Sequence, residues 1–321
     1  MTANEQHLTD DDARFARARE LTRWHYQWIV VEDFLRTVAL DSAVDEALAR
    51  PAQVVNDKGE VFMPLEHSVA AYRFGHSMVR ARYDHNENFG RNLDGSEKSP
   101  PVRATFAQLF QFTGNDVIQG ADAQPGEFAF ATLPDNWPIR WKRFTERDPA
   151  FPDRFARKID THLSPPLTDL SNEGNGPRFS VQVRRVLKRL AVRNLLRSYR
   201  LGLPTGQAVA SALGVKPLTE AELLDGAQGV ADALVDGGFL EATPLWFYVL
   251  KEAEVREQGK HLGEVGSRIV CTTIIGQIKA DTDSYLNRSG GAWTPADGVT
   301  LPNGGDVNSI KTFLEFAGVL I

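Results

Sequence analysis

The chain predicts a mainly α-helical domain, and three observations carry that reading. Apolar residues recur at helical spacing over two long runs, Asp11 to about Ala39 and about Glu66 to Tyr83. A third run, Leu190 to Leu203, has an explicit stop, because Gly202 suits the left-handed position after a helix and Pro204 cannot continue one. The strand signal is slight, a small hairpin at Asp57-Lys58-Gly59.

In chain order, the first helix places Phe15, Ala18, Leu21, Trp24, Trp28 and Val31 on one side, with His25 packed among aromatics. Ala43 to Leu65 contains Pro51, Asn56-Asp57-Lys58-Gly59 and Pro64 and reads as a turn-rich connection. From Glu66 to Tyr83 a single helix is expected, with Val69, Tyr72, Arg73, His76 and Val79 sharing one face. A glycine at position 75 costs such a helix about 1 kcal/mol against alanine. Close approach of a flat ligand or of another helix would explain it. On spacing alone, His76 and Arg73 read first as a core histidine beside a snorkelling arginine.

The middle of the chain is more irregular. Asp84 to Val102 is polar and rich in Asn, Gly, Ser and Pro, which predicts a surface loop with His85 solvated. Arg103 to Phe112 resumes a helix. Trp137 to Phe144 interleaves aromatic and basic residues, a pattern shared with nucleic-acid stacking surfaces, but the surrounding acidity argues against that use. Lys158 to Leu167 is expected to be extended through Pro165-Pro166, with His162 structural. Asn194 and Arg197 lie three apart on the Leu190 helix and face the same way. Further helices follow at Thr219–Leu240, with a break at Gly237-Gly238, at Thr243–Glu254 and after His261. Gly263-Glu264-Val265-Gly266 is no phosphate loop, since no strand precedes it and no Gly-Lys follows. About 287–308 is an irregular tail before a short last helix at about Ser309 to Ala317.

Composition sets the outer limits. The 321 residues, 42% hydrophobic and 24% charged, can bury one large core or two ordinary ones. A net charge of -6 argues against a nucleic-acid or anionic-membrane partner. Cys271 is the one cysteine, so no intramolecular disulfide forms and nothing requires an oxidising compartment. The polar start, Met1 to His7, lacks the pattern of a signal peptide, and no apolar run reaches a membrane span, so a cytoplasmic location is the default expectation.

Specific words in the sequence then point to a family. Arg73-Phe74-Gly75-His76 resembles the proximal-histidine helix of the animal-type haem peroxidases, the peroxidase-cyclooxygenase superfamily, and other segments match in the same order. Arg23 to Leu35 looks like the family helix before the proximal one, in bacterial members especially. Asn136-Trp137 with Trp141 to Phe144, and Lys158 to Leu167, resemble further stretches. Asn194-Leu195-Leu196-Arg197-Ser198 with Gly202-Leu203-Pro204 resembles the family's Asn-x-x-Arg-Ser-Arg helix, departing at Tyr199 where arginine is common. Leu262-Gly263-Glu264-Val265-Gly266 is similar to a Leu-Gly-x-x-Gly stretch.

The resemblance implies a haem-dependent peroxidase with haem b as cofactor. His76 is then the proximal iron ligand, Asn194 accepts a hydrogen bond from it, and Arg73 and Arg197 pair with haem propionates. The chemistry is coherent. An imidazole ligand needs an orienting partner on its other nitrogen, and two porphyrin carboxylates need fork-shaped cations. The implied reaction is reduction of hydrogen peroxide with oxidation of a halide or small organic electron donor, in keeping with a role in the response to oxidative stress.

The resemblance covers only the proximal, carboxy-terminal part of the family's catalytic domain, so residues 1–321 are expected to form a single, partial haem-peroxidase-like domain. The distal histidine, catalytic arginine and calcium loop belong to the half that is not matched. No catalytic residue is therefore assigned, no calcium is expected in this part, and His25, His67 and His85 are only nominal candidates for a distal base. One reading is a peroxidase completed by a second polypeptide or by a missing amino-terminal half, weak or inactive alone. The alternative is a non-catalytic haem-binding or scaffold remnant that needs a partner chain. A fatty-acid oxygenase of the superfamily is disfavoured, because its radical tyrosine position is Arg73 here and Tyr72 is one residue off.

Overall fold

Polar capping and apolar stripes organise the computed structural model, which describes residues 10–113, 134–170 and 179–320. Its secondary structure is mainly α-helical, with one two-stranded antiparallel ladder among the described residues. The described residues fall into two compact units. Of these, the first takes in residues 10–78, 158–162 and 192–318, and the second residues 79–113, 134–157, 163–170, 179–191 and 319–320.

The first unit opens with helix α1 (Asp11–Ile29), whose cap Asp10 accepts from the Asp12 amide while Asp11 and Asp12 complement the helix dipole. It continues as a π-helical segment, Val30–Leu35, and a last turn, Arg36–Val38. The expected long helix is present, but its apolar stripe is buried only from Leu21 onward. Phe15 is 66% exposed, because the first turns of α1 extend past the core. Trp24, His25, Trp28, Tyr285 and Trp293 form an edge-to-face aromatic cluster, so part of the segment expected as an irregular tail is core. Helix α2 (Asp41–Ala49) occupies the start of the expected turn-rich connection. The turn after it is as expected, with Gly59 at φ 81° and a Val55–Val61 bridge.

The expected single helix from Glu66 to Tyr83 is broken into three. A π turn, Glu66–Ala70, ends where Ala70 leaves helical geometry at φ -123°, ψ -77°. A 3-10 turn, Ala71–Phe74, and α3 (Gly75–Met78) follow. The uniform rotation behind the expected face is lost, and Tyr72 turns out to 46% exposure. Arg73 and His76 stay together, each in contact with the Asn194 amide.

The carboxy-terminal helices supply the platform. Helix α4 (Leu190–Arg200) ends as expected, with Gly202 at φ 64°. Thr219 to Leu240 is two helices, α5 (Glu220–Leu224), with a Thr219–Glu222 capping box, and α6 (Gln228–Asp236). Helices α7 (Leu245–Arg256) and α8 (Glu264–Ala280) form the buried centre, α8 packing along α2 and α7 against Ala71–Phe74. The chain closes with α9 (Ile310–Phe316), capped by Ser309. Burial pushes the Cys271 thiol up to about 12, so it behaves as a small hydrophobe.

The Gly263–Gly266 stretch does hold an anion, one from within the chain. The fully buried Glu252 carboxylate accepts from the Val265 amide at 3.0 Å and the Gly266 amide at 3.3 Å, at the start of α8. Burial outweighs these donors and raises Glu252 to about 7. A carboxyl raised in the folded state contributes stability that is complete below its unfolded value, near 4.5, and lost as pH rises through about 7. The change amounts to roughly 3 kcal/mol at most. Urea unfolding of wild type and Glu252→Gln at pH 5 and pH 8 checks this. Any stability lead of wild type should narrow at pH 8, and a pH-independent difference would contradict it.

The second unit centres on Asp84, buried with no side-chain exposure. It pairs with Arg143, with Arg154 at 2.7 Å and with Arg91 at 3.2 Å. Arg91 continues to Asp153 at 2.9 Å, and its guanidinium and that of Arg154 lie over the Phe151 ring at 5.1 Å and 4.0 Å. A Cβ at Gly90 would fall 2.0 Å from the Asp84 carboxylate, so that close approach needs glycine. The expected solvated loop is thus partly interior. His85 is 3% exposed, stacks on Trp137 at 4.4 Å and donates from Nε2 to the Trp137 carbonyl at 2.8 Å. The Asn86 amide donates to the Asn136 and Pro138 carbonyls. The ladder β1 (Arg82–Tyr83) with β2 (Ala104–Thr105) leads into Phe106–Thr113, close to the expected helix. Lys142–Thr145 is a single helical turn, and Pro165–Leu167 form a 3-10 turn where an extended segment was expected.

Candidate functional site

His76 sits in the first turn of α3, half-buried, and the residues singled out with it converge there. Asn194, from the middle of α4, is fully buried, and its amide nitrogen lies 3.2 Å from His76 Nδ1. Arg73 donates from Nη1 to Asn194 Oδ1 at 2.5 Å and from Nε to the Ser68 carbonyl at 3.1 Å. The Trp246 indole on α7 reaches the Arg73 carbonyl at 3.4 Å, and Ser77 bonds back to Phe74 at 2.9 Å. These contacts fix the backbone on both sides of His76.

The amide orientation is the reverse of the one the sequence implied. Asn194 offers His76 its nitrogen, because its oxygen is taken by Arg73, and a guanidinium has no acceptor with which to meet an amide nitrogen.

The electrostatics are one-sided. Burial lowers the Arg73 pKa, and the Arg197 and then Arg193 cations lower it further. Among the described residues neither Arg73 nor Arg197 forms an ion pair, and Arg197 is exposed. Burial, then the Arg73 charge, lowers the His76 pKa, which favours the neutral ring. Arg193 is the site residue that sequence reasoning passed over. Its place directly before Asn194, and four before Arg197, is the signal that could have found it.

Space is available beside this cluster. A Cβ built on Gly75 meets nothing within 4 Å, which removes the close-helix explanation for the glycine and leaves room for a ligand. A half-buried histidine, open space at Gly75 and the Arg73 and Arg197 guanidinium groups, neither ion-paired among the described residues, suit an iron porphyrin bearing two carboxylates.

Of the other described histidines, His25 and His67 are buried in the first unit. His25 donates from Nδ1 to the Val307 carbonyl at 2.7 Å and accepts the Val299 amide on Nε2 at 2.9 Å, so both nitrogens are used. A Cβ at Gly298 would meet that ring at 2.1 Å. His67 is buried beneath the Tyr72 ring, 4.8 Å centroid to centroid, and burial lowers its pKa to about 4. His162 is exposed, 3.8 Å from Asp160. In the second unit, a cavity of about 340 Å³ is lined by Arg140, Lys142, Arg143 and Arg154, but each faces a carboxylate, Glu87, Glu146, Asp84 and Asp84 in turn. Among the described residues no group of three or more His, Cys, Asp or Glu is placed to hold a metal ion, and no helix is long and apolar enough to cross a membrane.

No protein-family model matches the chain, and no curated protein matches it. Among solved structures it is similar to peroxidase A from Dictyostelium discoideum, at 16% identity and a TM-score of 0.47, over 96% of this chain and 52% of that one. The chain therefore spans about half the length of the peroxidase it matches.

Proposed function

We propose that this chain is the proximal, haem-holding part of a haem peroxidase. The observation that carries the reading is the convergence of His76, Asn194 and Arg73, with Arg197 nearby, beside the open space at Gly75. In this reading His76 Nε2 is the iron ligand, Asn194 orients the ring, Arg73 and Arg197 receive the propionates, and Gly75 leaves room for the ring edge. Haem b so held would supply the redox chemistry by which hydrogen peroxide is reduced and a halide or small organic donor oxidised.

A peroxidase also needs a base to take a proton from peroxide and a cation to stabilise charge as the O–O bond breaks. His25 has no lone pair to spare, and His67 and His85 are both 3% exposed, so neither presents its ring to a bound peroxide. Base and cation come, in this account, from a second polypeptide or from the family's distal half. General acid–base catalysis contributes about 10² to 10⁴ in rate. The chain alone should therefore take up one haem per molecule, with a histidine-type Soret band, and turn over peroxide little faster than free haem. Turnover 100-fold faster without a partner would show that the distal groups are already in the chain. Absence of haem uptake would end the functional reading.

A further inference from the structure

Resting on the haem reading, we infer that Arg73 and Asn194 form a latch that holds His76 in the tautomer unable to ligate iron until a carboxylate takes Arg73. The Asn194 oxygen accepts from Arg73 Nη1 at 2.5 Å, and its nitrogen therefore faces His76 Nδ1 at 3.2 Å. An N–H facing Nδ1 requires Nδ1 to accept. A proton there, whether in the other tautomer or in an imidazolium, would set donor against donor. The ring proton accordingly sits on Nε2, the nitrogen that iron needs.

Ligation through Nε2 requires that nitrogen to lose its proton to water while Nδ1 gains one, with no net change. The new Nδ1–H then needs an acceptor, which Asn194 can supply only by turning its oxygen toward His76. That turn would point the amide nitrogen at Arg73, so Arg73 must first leave. Its remaining side-chain bond is to the Ser68 carbonyl, and its neighbouring charges are Arg197 and Arg193, so an anionic carboxylate is the group that would draw it off. Capture of a propionate and ligation at His76 thus assist one another through Asn194, and a porphyrin without free carboxylates gains neither. Asn194 and Arg73 act here as positioning residues.

The test reads the tautomer in the haem-free chain, by ring nitrogen–proton multiple-bond NMR with ¹⁵N-labelled histidine at pH 7. Wild type should show His76 with about a tenfold excess of Nε2–H, the scale of one net hydrogen bond plus the avoided donor clash. Asn194→Asp, whose carboxylate accepts from Arg73 and from Nδ1–H together, should show Nδ1–H. Arg73→Gln, which frees the Asn194 oxygen, should raise the Nδ1–H fraction. Soret titration adds a second arm, in which wild type binds haem at least about tenfold tighter than haem dimethyl ester and Asn194→Asp narrows that ratio. An Nδ1–H tautomer in the wild-type chain with normal haem uptake overturns the latch alone. An Nε2–H tautomer with no haem uptake overturns the haem reading, and the coupling with it.

Discussion

His76→Ala is expected to abolish histidine-ligated haem binding, with loss of the ligand-sensitive Soret band and an affinity lower by 100-fold or more. The magnitude follows from what the residue supplies. An axial imidazole is the only metal bond the site offers in this account, and losing a coordinate bond outweighs the 1.4 kcal/mol that a tenfold change represents. The arginines would still attract the propionates, so a weak, salt-sensitive adduct should remain, and raising the salt from about 0.1 M to 1 M should weaken it further. The expected control is retention of helical circular dichroism. His76 contributes one half-buried ring, and the turn around it is held by Ser77, Phe74 and Trp246 rather than by the imidazole. Titration of wild type and variant with haem at matched ionic strength measures the effect, and equal affinities would remove His76 from the site.

Asp84→Ala should destabilise the second unit by about 3 to 5 kcal/mol, the range for breaking a buried ion pair from one side. Burial alone would raise the Asp84 carboxyl, but the Arg91 amide, Arg154 and Arg143 outweigh it and hold the group below the ordinary carboxylate range. Such a carboxylate gives stability that is present above its unfolded value, near 3.8, and lost as pH falls through the folded one. The alanine variant leaves Arg143, 7% exposed, with only the Asn86 and Arg91 carbonyls as acceptors. Hydrogen exchange over residues 79–105 and 140–157 measures the change. Protection there should fall sharply while that of Leu245–Arg256 holds, and unchanged exchange would mean that the ion cluster contributes no stability.

The helices and the cluster around His76 were legible in the sequence for definite reasons. Helix stops are local chemistry, so Gly202 and Pro204 marked the end of α4 correctly, and the 3.6 period placed the long first helix. Gly75 stands out because glycine costs a helix stability, and a Cβ there would meet nothing within 4 Å. What escaped depends on tertiary context. Nothing in local propensity announces that the backbone breaks at Ala70, so the expected face from Val69 to Val79 was wrong at Tyr72. Asp84, His85 and Asn86 read as a loop because they are polar, yet Arg143, Arg154 and Trp137, fifty or more residues away in sequence, make their burial possible. The resemblance gave the Asn194 amide one neighbour, the histidine. Its orientation is set by the other, since Arg73 can only donate.

The most direct test of the account is the iron–histidine stretching band in the resonance Raman spectrum of the ferrous, haem-reconstituted chain. Wild type should show the band, His76→Gly should lack it, and added imidazole should restore it by filling the space the side chain leaves. A band that persists in His76→Gly without imidazole, or a wild-type chain that takes up haem without one, would contradict His76 as the ligand and with it the site proposed here.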